Sequence, residues 1–294
     1  MSNSSKTLVL TAGSLGDCVL TLPALQILQS QGPVTLAGTW PHVQLGSSLL
    51  NVEQVVPFEA LLQILHSDSP LDKSFWGSFT NLYLFFKDKD DKIAERLKPF
   101  TGLTIYQPAE PFAEFLKKEK WVGEYWLRLV QPNRATTETI PVSRLNITAD
   151  VKERGTLLCD FLGVTNPLVI HPGSGSPTKN APLSFFRKAA EKAVQESGAD
   201  VLVIWGDAEF NSLNEIQEAF KGLEKVKVLP DLLMLRDLAA VLSRARGYLG
   251  NDSGVTHLAS ACGIRTFAVF KTTDSRIWGP QEAIILAATQ QLYQ

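Results

Sequence analysis

The residues of this chain best suited to chemistry lie in three short stretches, each following an apolar run and opening a helical pattern. The first in importance is Leu249-Gly250-Asn251-Asp252-Ser253-Gly254-Val255-Thr256-His257-Leu258-Ala259. Asn251, Asp252 and Ser253 are helix N-cap types, and Gly254 can hold a backbone conformation that residues with a Cβ resist. A strand that turns into a helix through such residues presents free backbone N–H groups. The positive end of the helix dipole adds to them, so the place suits an anion. Asp252 beside it is placed to hold sugar hydroxyls. The same residues also read as an ordinary capped helix.

Two further stretches favour the ligand reading. Leu168-Val169-Ile170 runs into His171-Pro172-Gly173-Ser174-Gly175-Ser176-Pro177-Thr178-Lys179. Closely spaced Gly173, Ser174, Gly175 and Ser176 let consecutive N–H groups point into one concavity that suits phosphate, and Lys179 adds a mobile positive charge. The spacing does not meet G-x-x-x-x-G-K-[ST]. His171 is expected to be a structural hydrogen-bonder at the strand end. Near the N-terminus, Thr7-Leu8-Val9-Leu10 leads to Thr11-Ala12-Gly13-Ser14-Leu15-Gly16-Asp17, again without a G-x-G-x-x-G fingerprint. Asp17 reads either as a helix cap or as a general base aimed into a cleft. After Val201-Leu202-Val203-Ile204-Trp205, Asp207 and Glu209 stand where acidic residues bind ribose hydroxyls, or cap the next helix. The loop before Leu235, which contains Met234, is placed to cover an adenine base.

The elements that must position these residues alternate between β and α, which implies parallel sheets. Strands are expected at Val34-Thr35-Leu36-Ala37, Val52 to Val56, Leu82 to Phe86, Val226 to Val228 and Thr266 to Phe270. Helical patterns cover Phe58 to Leu65, Pro111 to Val130, Val151 to Leu162, Pro182 to Val194 and Leu235 to Leu242. The Pro111 to Val130 stretch interleaves Lys117, Lys118 and Lys120 with apolar residues, so it suits either its own sheet or a membrane surface. The Asp88-Lys89-Asp90 triplet, a metal-holding pattern elsewhere, lies in a run of alternating charge that reads as a solvated loop or helix start. Gln131 to Asp150 has linker composition. Domains are therefore expected at 1–150 and 151–280, with a C-terminal helix at 281–294 packing back on the first.

The totals fit this plan. A chain of 294 residues, 45% hydrophobic and 20% charged, is a normal globular composition with room for two domains. Its net charge of −2 argues against nonspecific nucleic-acid binding. No apolar run approaches a bilayer span, and the first residues lack a signal-peptide layout. Cys18, Cys159 and Cys262 are widely spaced and read as reduced, buried thiols of a cytoplasmic protein.

Taken together, Gly13-Ser14-Leu15-Gly16-Asp17 with Thr21-Leu22-Pro23-Ala24-Leu25, the His171 to Lys179 stretch, Asn251 to Gly254 with His257-Leu258-Ala259, and Thr273-Asp274 with Trp278-Gly279-Pro280 resemble one family. It is glycosyltransferase family 9, the ADP-heptose:lipopolysaccharide heptosyltransferases. The resemblance implies an α/β GT-B fold, two Rossmann-like domains facing across a cleft, acceptor side first and nucleotide-sugar side second. It implies inverting transfer of a sugar from an ADP-sugar to a lipopolysaccharide-core or other cell-envelope glycan, with no metal and no cofactor. Asp17 would be the base, Lys179 and the amides of Ser253 and Gly254 would stabilise the departing diphosphate, Asp252 would hold the donor sugar, Glu209 the ribose and the backbone near Met234 the base. Ser174, Gly175, Ser176 and His257 fall on the donor side, and Gly13, Ser14 and Gly16 on the acceptor side. Peripheral contact with the cytoplasmic face of the inner membrane stays open as the alternative to packing of Pro111 to Val130 on its own sheet, which is the preferred reading, and no nucleic acid is expected. The chain departs from the family pattern at Thr11, where many members carry Lys or Arg, and at Asn180-Ala181-Pro182. An inactive nucleotide- or glycan-binding protein and a nucleotide-sugar epimerase or hydrolase are the rival readings.

Overall fold

The structure, a computed structural model, describes residues 6–118, 120–135 and 138–287. The chain divides into two compact units, Met1–Pro141 and Val142–Gln294. The division falls before the expected 150, because residues of the linker already bond to the second unit. The Leu145 N–H donates to the Ala261 carbonyl at 2.9 Å and the Ser143 N–H to Gln281 Oε1 at 2.9 Å.

The first unit is built on five parallel strands: β1 (Thr7–Thr11), β2 (Val34–Gly38), β3 (Gln54–Pro57), β4 (Asn81–Phe85) and β5 (Thr104–Tyr106), in the order β3-β2-β1-β4-β5. Strands covered on both faces must be apolar throughout, which is why Leu8, Val9 and Leu10 are wholly buried. Packed against this sheet is a core containing Phe58, Leu61, Trp76, Leu84, Ile93 and Leu97. The stretch expected as one helix from Pro111 to Val130 forms two, Phe112–Leu116 and Val122–Val130. Trp121 interrupts it with an extended backbone (φ −55°, ψ 131°). Its ring lies over Gly123, where a Cβ would come within 2.1 Å. Lys117 and Lys118 are paired with Glu114 and Glu110, at 2.7 and 2.6 Å.

The second unit carries six parallel strands: β6 (Leu168–His171), β7 (Val201–Val203), β8 (Val226–Val228), β9 (Gly247–Asn251), β10 (Thr266–Phe270) and β11 (Ile284–Ala287), in the order β11-β10-β9-β6-β7-β8. Chain order reverses between β6 and β9, as it does between β1 and β4 in the first unit. Ligands of such sheets sit outside the carboxyl ends at this switch point. The helix expected at 281–294 is replaced, in its described part, by strand β11. Ile284, Ile285 and Leu286 are β-prone side chains that extend the sheet beside Phe267, Ala268 and Val269. The rest of that expected helix lies outside the described residues. Among the described residues no helix is long and apolar enough to cross a membrane.

One close contact joins two helices of the second unit. Helix Ala149–Leu162 packs on helix Leu235–Leu242 so tightly that a Cβ on Gly155 would lie 2.1 Å from the Ala240 carbonyl oxygen. Alanine gains about 1 kcal/mol over glycine in a helix, but prying two helices apart costs about 1–3 kcal/mol. Gly155→Ala is therefore expected to lower stability in urea or thermal denaturation, and a variant at least as stable as the parent would show that the two helices separate freely.

Candidate functional site

The site of the second unit begins with the pairing of β6 and β9. His171 lies opposite Gly250, so the chain leaves both strands side by side. Asn251, the last residue of β9, is completely buried. Its Nδ2 donates to the Pro172 and Gly173 carbonyls at 2.7 and 3.3 Å, and its Oδ1 accepts from the Ala181 N–H at 2.9 Å. One side chain thus ties both ends of the loop 172–181 to the neighbouring strand. Within the loop, Ser174 is buried, 2.6 Å from Asn180 Oδ1 and 2.8 Å from the Ser176 carbonyl. Its hydroxyl shapes the loop, while Gly175 is exposed, with open space where a Cβ would stand.

Lys179 closes the loop in the short turn Pro177–Lys179 and reaches Asp252 Oδ2 at 2.8 Å. The mobile charge expected from sequence is therefore held by a partner. Asp252 is 6% exposed, also accepts a short hydrogen bond from the Thr273 hydroxyl, and its own N–H donates to the Val269 carbonyl at 3.0 Å. Ser253 caps helix Gly254–Ala261, its Oγ accepting from the Thr256 N–H at 3.4 Å. Gly254 is the first residue of that helix, not a residue in the special conformation suggested by its type. What glycine contributes here is the absence of a side chain in front of the helix N-terminus. His257 is buried one turn into the helix.

Behind these loops runs a buried chain of polar groups. His171 Nε2 lies 3.2 Å from Glu209 Oε2, and His171 Nδ1 lies 3.4 Å from Ser253 Oγ. Burial pushes the Glu209 carboxyl up. The hydrogen bond from His171, with the N–H groups of Gly206 and Ser174, outweighs it and holds the carboxyl below its ordinary range. Glu209 presses on Gly173 so closely that a Cβ there would be 2.0 Å from its Oε1. Of the two readings of Glu209, ribose ligand or cap of the next helix, the structure shows the cap: its carboxylate is 4% exposed and accepts the Gly206 N–H. His171 is the structural hydrogen-bonder expected. Met234 stands apart in the loop after β8. Its side chain is 45% exposed, and its carbonyl accepts from Asp237 and Leu238 at the start of the next helix.

In the first unit, β1 ends at Thr11 and Gly13 turns the chain with φ +128°, a region that favours glycine. Asp17 Oδ2 accepts from both the N–H and the hydroxyl of Ser14, each at 2.8 Å. Its Oδ1 makes no hydrogen bond among the described residues. Both readings of Asp17 are thereby compatible, since one oxygen caps helix Leu15–Gln31 and the other is left over. Gly16 lies in the first turn of that helix. Thr39 donates to the Gly13 carbonyl at 2.8 Å and lies 3.3 Å from His42 Nδ1. Burial lowers the His42 pKa to about 4, against the opposing pull of Thr39 and Asp17, so this ring is neutral at physiological pH.

Within the Asp88-Lys89-Asp90 triplet, Asp88 serves a helix start. Asp88 is buried, and its Oδ2 accepts from the N–H groups of Ile93 and Ala94 at 2.9 and 3.1 Å, capping helix Lys92–Leu97. Among the described residues no group of three His, Cys, Asp or Glu side chains converges in metal-binding geometry. Sequence reasoning missed the parts played by Asn251 and Thr273. The available signal was an amide closing a strand with no exposed face, where every polar atom must find a partner.

Comparison with known proteins agrees with this arrangement. Residues 111–292 match glycosyltransferase family 9 (heptosyltransferase). A 112-residue stretch is 34% identical to lipopolysaccharide heptosyltransferase 1 of Pseudomonas aeruginosa, spanning 38% of this chain and 30% of that protein. Among solved structures, the E. coli ADP-heptose lipopolysaccharide heptosyltransferase II superposes with a TM-score of 0.74 at 15% identity, over 97% of this chain and 91% of that one. An E. coli heptosyltransferase solved with ADP gives 0.70 at 18% identity, over 97% and 93%. The fold shared with these structures is GT-B. The family match covers more than half of the chain, including every part of the switch-point site in the second unit, and so the protein belongs to glycosyltransferase family 9.

Proposed function

We propose that the protein transfers a heptose from an ADP-linked donor to a lipopolysaccharide-core or other cell-envelope glycan, inverting the anomeric carbon and using no metal. The observation that carries this reading is the Lys179–Asp252 pair at the N-terminus of helix Gly254–Ala261, on the switch point of a six-stranded parallel sheet. A diphosphate seated there meets the amides of Ser253 and Gly254, the positive end of the helix and the Lys179 ammonium. These groups face the charge that grows on the leaving group. Asp252 stays beside Lys179 and accepts hydrogen bonds from the donor sugar. The related E. coli heptosyltransferase was solved with ADP and with a fluorinated ADP-heptose, which supports an adenine nucleotide as donor.

In the proposed reaction the acceptor oxygen attacks the anomeric carbon as the bond from that carbon to the diphosphate breaks. The acceptor proton passes to Asp17 Oδ1, and ADP leaves with both bonding electrons. Asp17 can accept this proton without losing its cap, because Oδ2 alone holds Ser14. Exposed aromatic and apolar side chains on the first unit, Trp40 and Val43, follow the same carboxyl edge of β2.

Asp17→Asn is expected to fold and to bind ADP like the parent, since the amide oxygen still accepts from Ser14. Transfer from ADP-heptose should fall by about 10²–10⁴-fold, the usual worth of a general base. Undiminished transfer in that variant would remove Asp17 from the mechanism. Lys179→Ala is expected to weaken ADP binding about tenfold or more, in line with about 1.5–3 kcal/mol for a hydrogen bond to a charged group. Calorimetric titration with ADP checks it, and an unchanged Kd would detach Lys179 from the diphosphate.

A further inference from the structure

The chain Glu209–His171–Ser253 has a direction built into it. Glu209 Oε2 accepts the Gly206 N–H at 2.8 Å and faces His171 Nε2 at 3.2 Å, so the ring must present an N–H on that side. In the neutral ring Nδ1 is then an acceptor, and the donor standing beside it is the Ser253 hydroxyl at 3.4 Å. The neighbouring Thr256 hydroxyl is committed to the Asn251 carbonyl, at 2.5 Å. Thr256 Oγ1, with its own proton so committed, accepts from the Tyr248 hydroxyl at 3.0 Å, so while the ring is neutral Ser253 points its proton inward to His171 Nδ1. Turning it outward leaves a buried nitrogen lone pair unmet. In the doubly protonated ring Nδ1–H donates to Ser253 Oγ, and the Ser253 proton is released toward whatever occupies the helix N-terminus.

We propose that binding of a nucleoside diphosphate is coupled to uptake of one solvent proton by His171, which converts Ser253 from an inward donor into a donor to the diphosphate. This inference rests on the donor-site reading above and adds a positioning residue to it. The balance is simple: one proton enters from solvent, no covalent bond changes, and the imidazolium lies between the Glu209 carboxylate and the bound anion. An imidazole is the side chain whose charge changes most readily near neutral pH. The other ionisable groups around the chain are Tyr248 on β9 and the Lys179–Asp252 pair next to Ser253. Burial pushes the Tyr248 phenol up, so it stays neutral, and Lys179 and Asp252 are paired with each other. Glu209 is thus the carboxylate that balances an added charge on the ring.

The test is calorimetric titration of the full chain with ADP in buffers of different ionisation heat at one pH. The expected result, with the titration repeated across pH, is a buffer-dependent enthalpy that reports uptake of up to about one proton per ADP, with affinity falling at most about tenfold per pH unit over the interval in which uptake occurs. In His171→Gln the side-chain amide still donates to Glu209 but cannot take a charge. That variant should bind ADP with no buffer dependence. Imidazole nitrogen NMR of the unsubstituted protein identifies which of the four histidines gains the proton, and does not depend on the variant folding. ADP binding with the same enthalpy in every buffer would overturn the coupling and leave the donor site standing. Uptake that persists in His171→Gln, or a proton located on another histidine, would also overturn it. Absence of any ADP binding would remove the donor-site reading and the coupling together.

Discussion

Asn251 holds together two loops that the sheet alone would only place near each other. Parallel pairing of β6 and β9 brings His171 level with Gly250, but hydrogen bonding along the strands stops there. Beyond it the backbone of 172–181 would have to find partners for itself. The Asn251 amide, wholly buried, supplies an acceptor for Ala181 and a donor for Pro172 and Gly173. Losing one such partner inside a protein costs about 1–3 kcal/mol, against a total stability of about 5–15 kcal/mol. The loop is consequently preformed, and a ligand entering it does not have to order it first.

Charge is arranged on top of that scaffold. An anion arriving at the N-terminus of helix Gly254–Ala261 meets favourable amides and an unfavourable neighbour, the buried Asp252 carboxylate. Lys179 decides the balance, because at 2.8 Å it cancels Asp252 while remaining about one-third exposed and able to face outward. A charge with a buried partner that loses it is left uncompensated, which is far more costly than losing a surface pair. Thr273 gives Asp252 a second partner from a different loop, so the carboxylate stays fixed if the ammonium shifts.

Much of this was legible from residue types. Strand, small-residue turn and helix recur at Gly13, Gly173 and Gly254, and that repetition alone points to two doubly wound sheets. Asp252 stands out because a charged residue directly after a buried strand is positioned at the carboxyl edge by the fold itself, while Asp17 and Lys179 lie at the far ends of the small-residue loops that follow β1 and β6. Side-chain partnerships were not legible, since they join residues distant in sequence: Lys179 with Asp252, Asp252 with Thr273, and Glu209 with His171. Glu209 resembled a ribose ligand by position. Only the packing of its carboxylate on Gly173 reveals that the site needs it as a strut. The last strand was misread for a different reason. Ile284 to Ala287 has no periodicity long enough to separate strand from helix, and an open sheet edge beside β10 decided the outcome.

The two units put carboxylates in opposite environments, and the contrast sorts their roles. Glu209 and Asp252 are buried and bonded to neighbours within their unit, so they serve to hold other groups in place. Asp17 is partly exposed, gives one oxygen to Ser14 and keeps the other uncommitted. The nearest imidazole described around it, His42, is kept neutral by burial. A cation in that position would stabilise the ionised carboxylate and oppose its taking up a proton. In the proposed reaction the oxygen of Asp17 that Ser14 leaves free takes the proton, while the two buried carboxylates of the second unit hold His171, Gly206 and Lys179 in place. Burial and hydrogen bonding thus sort one chemical group into different tasks.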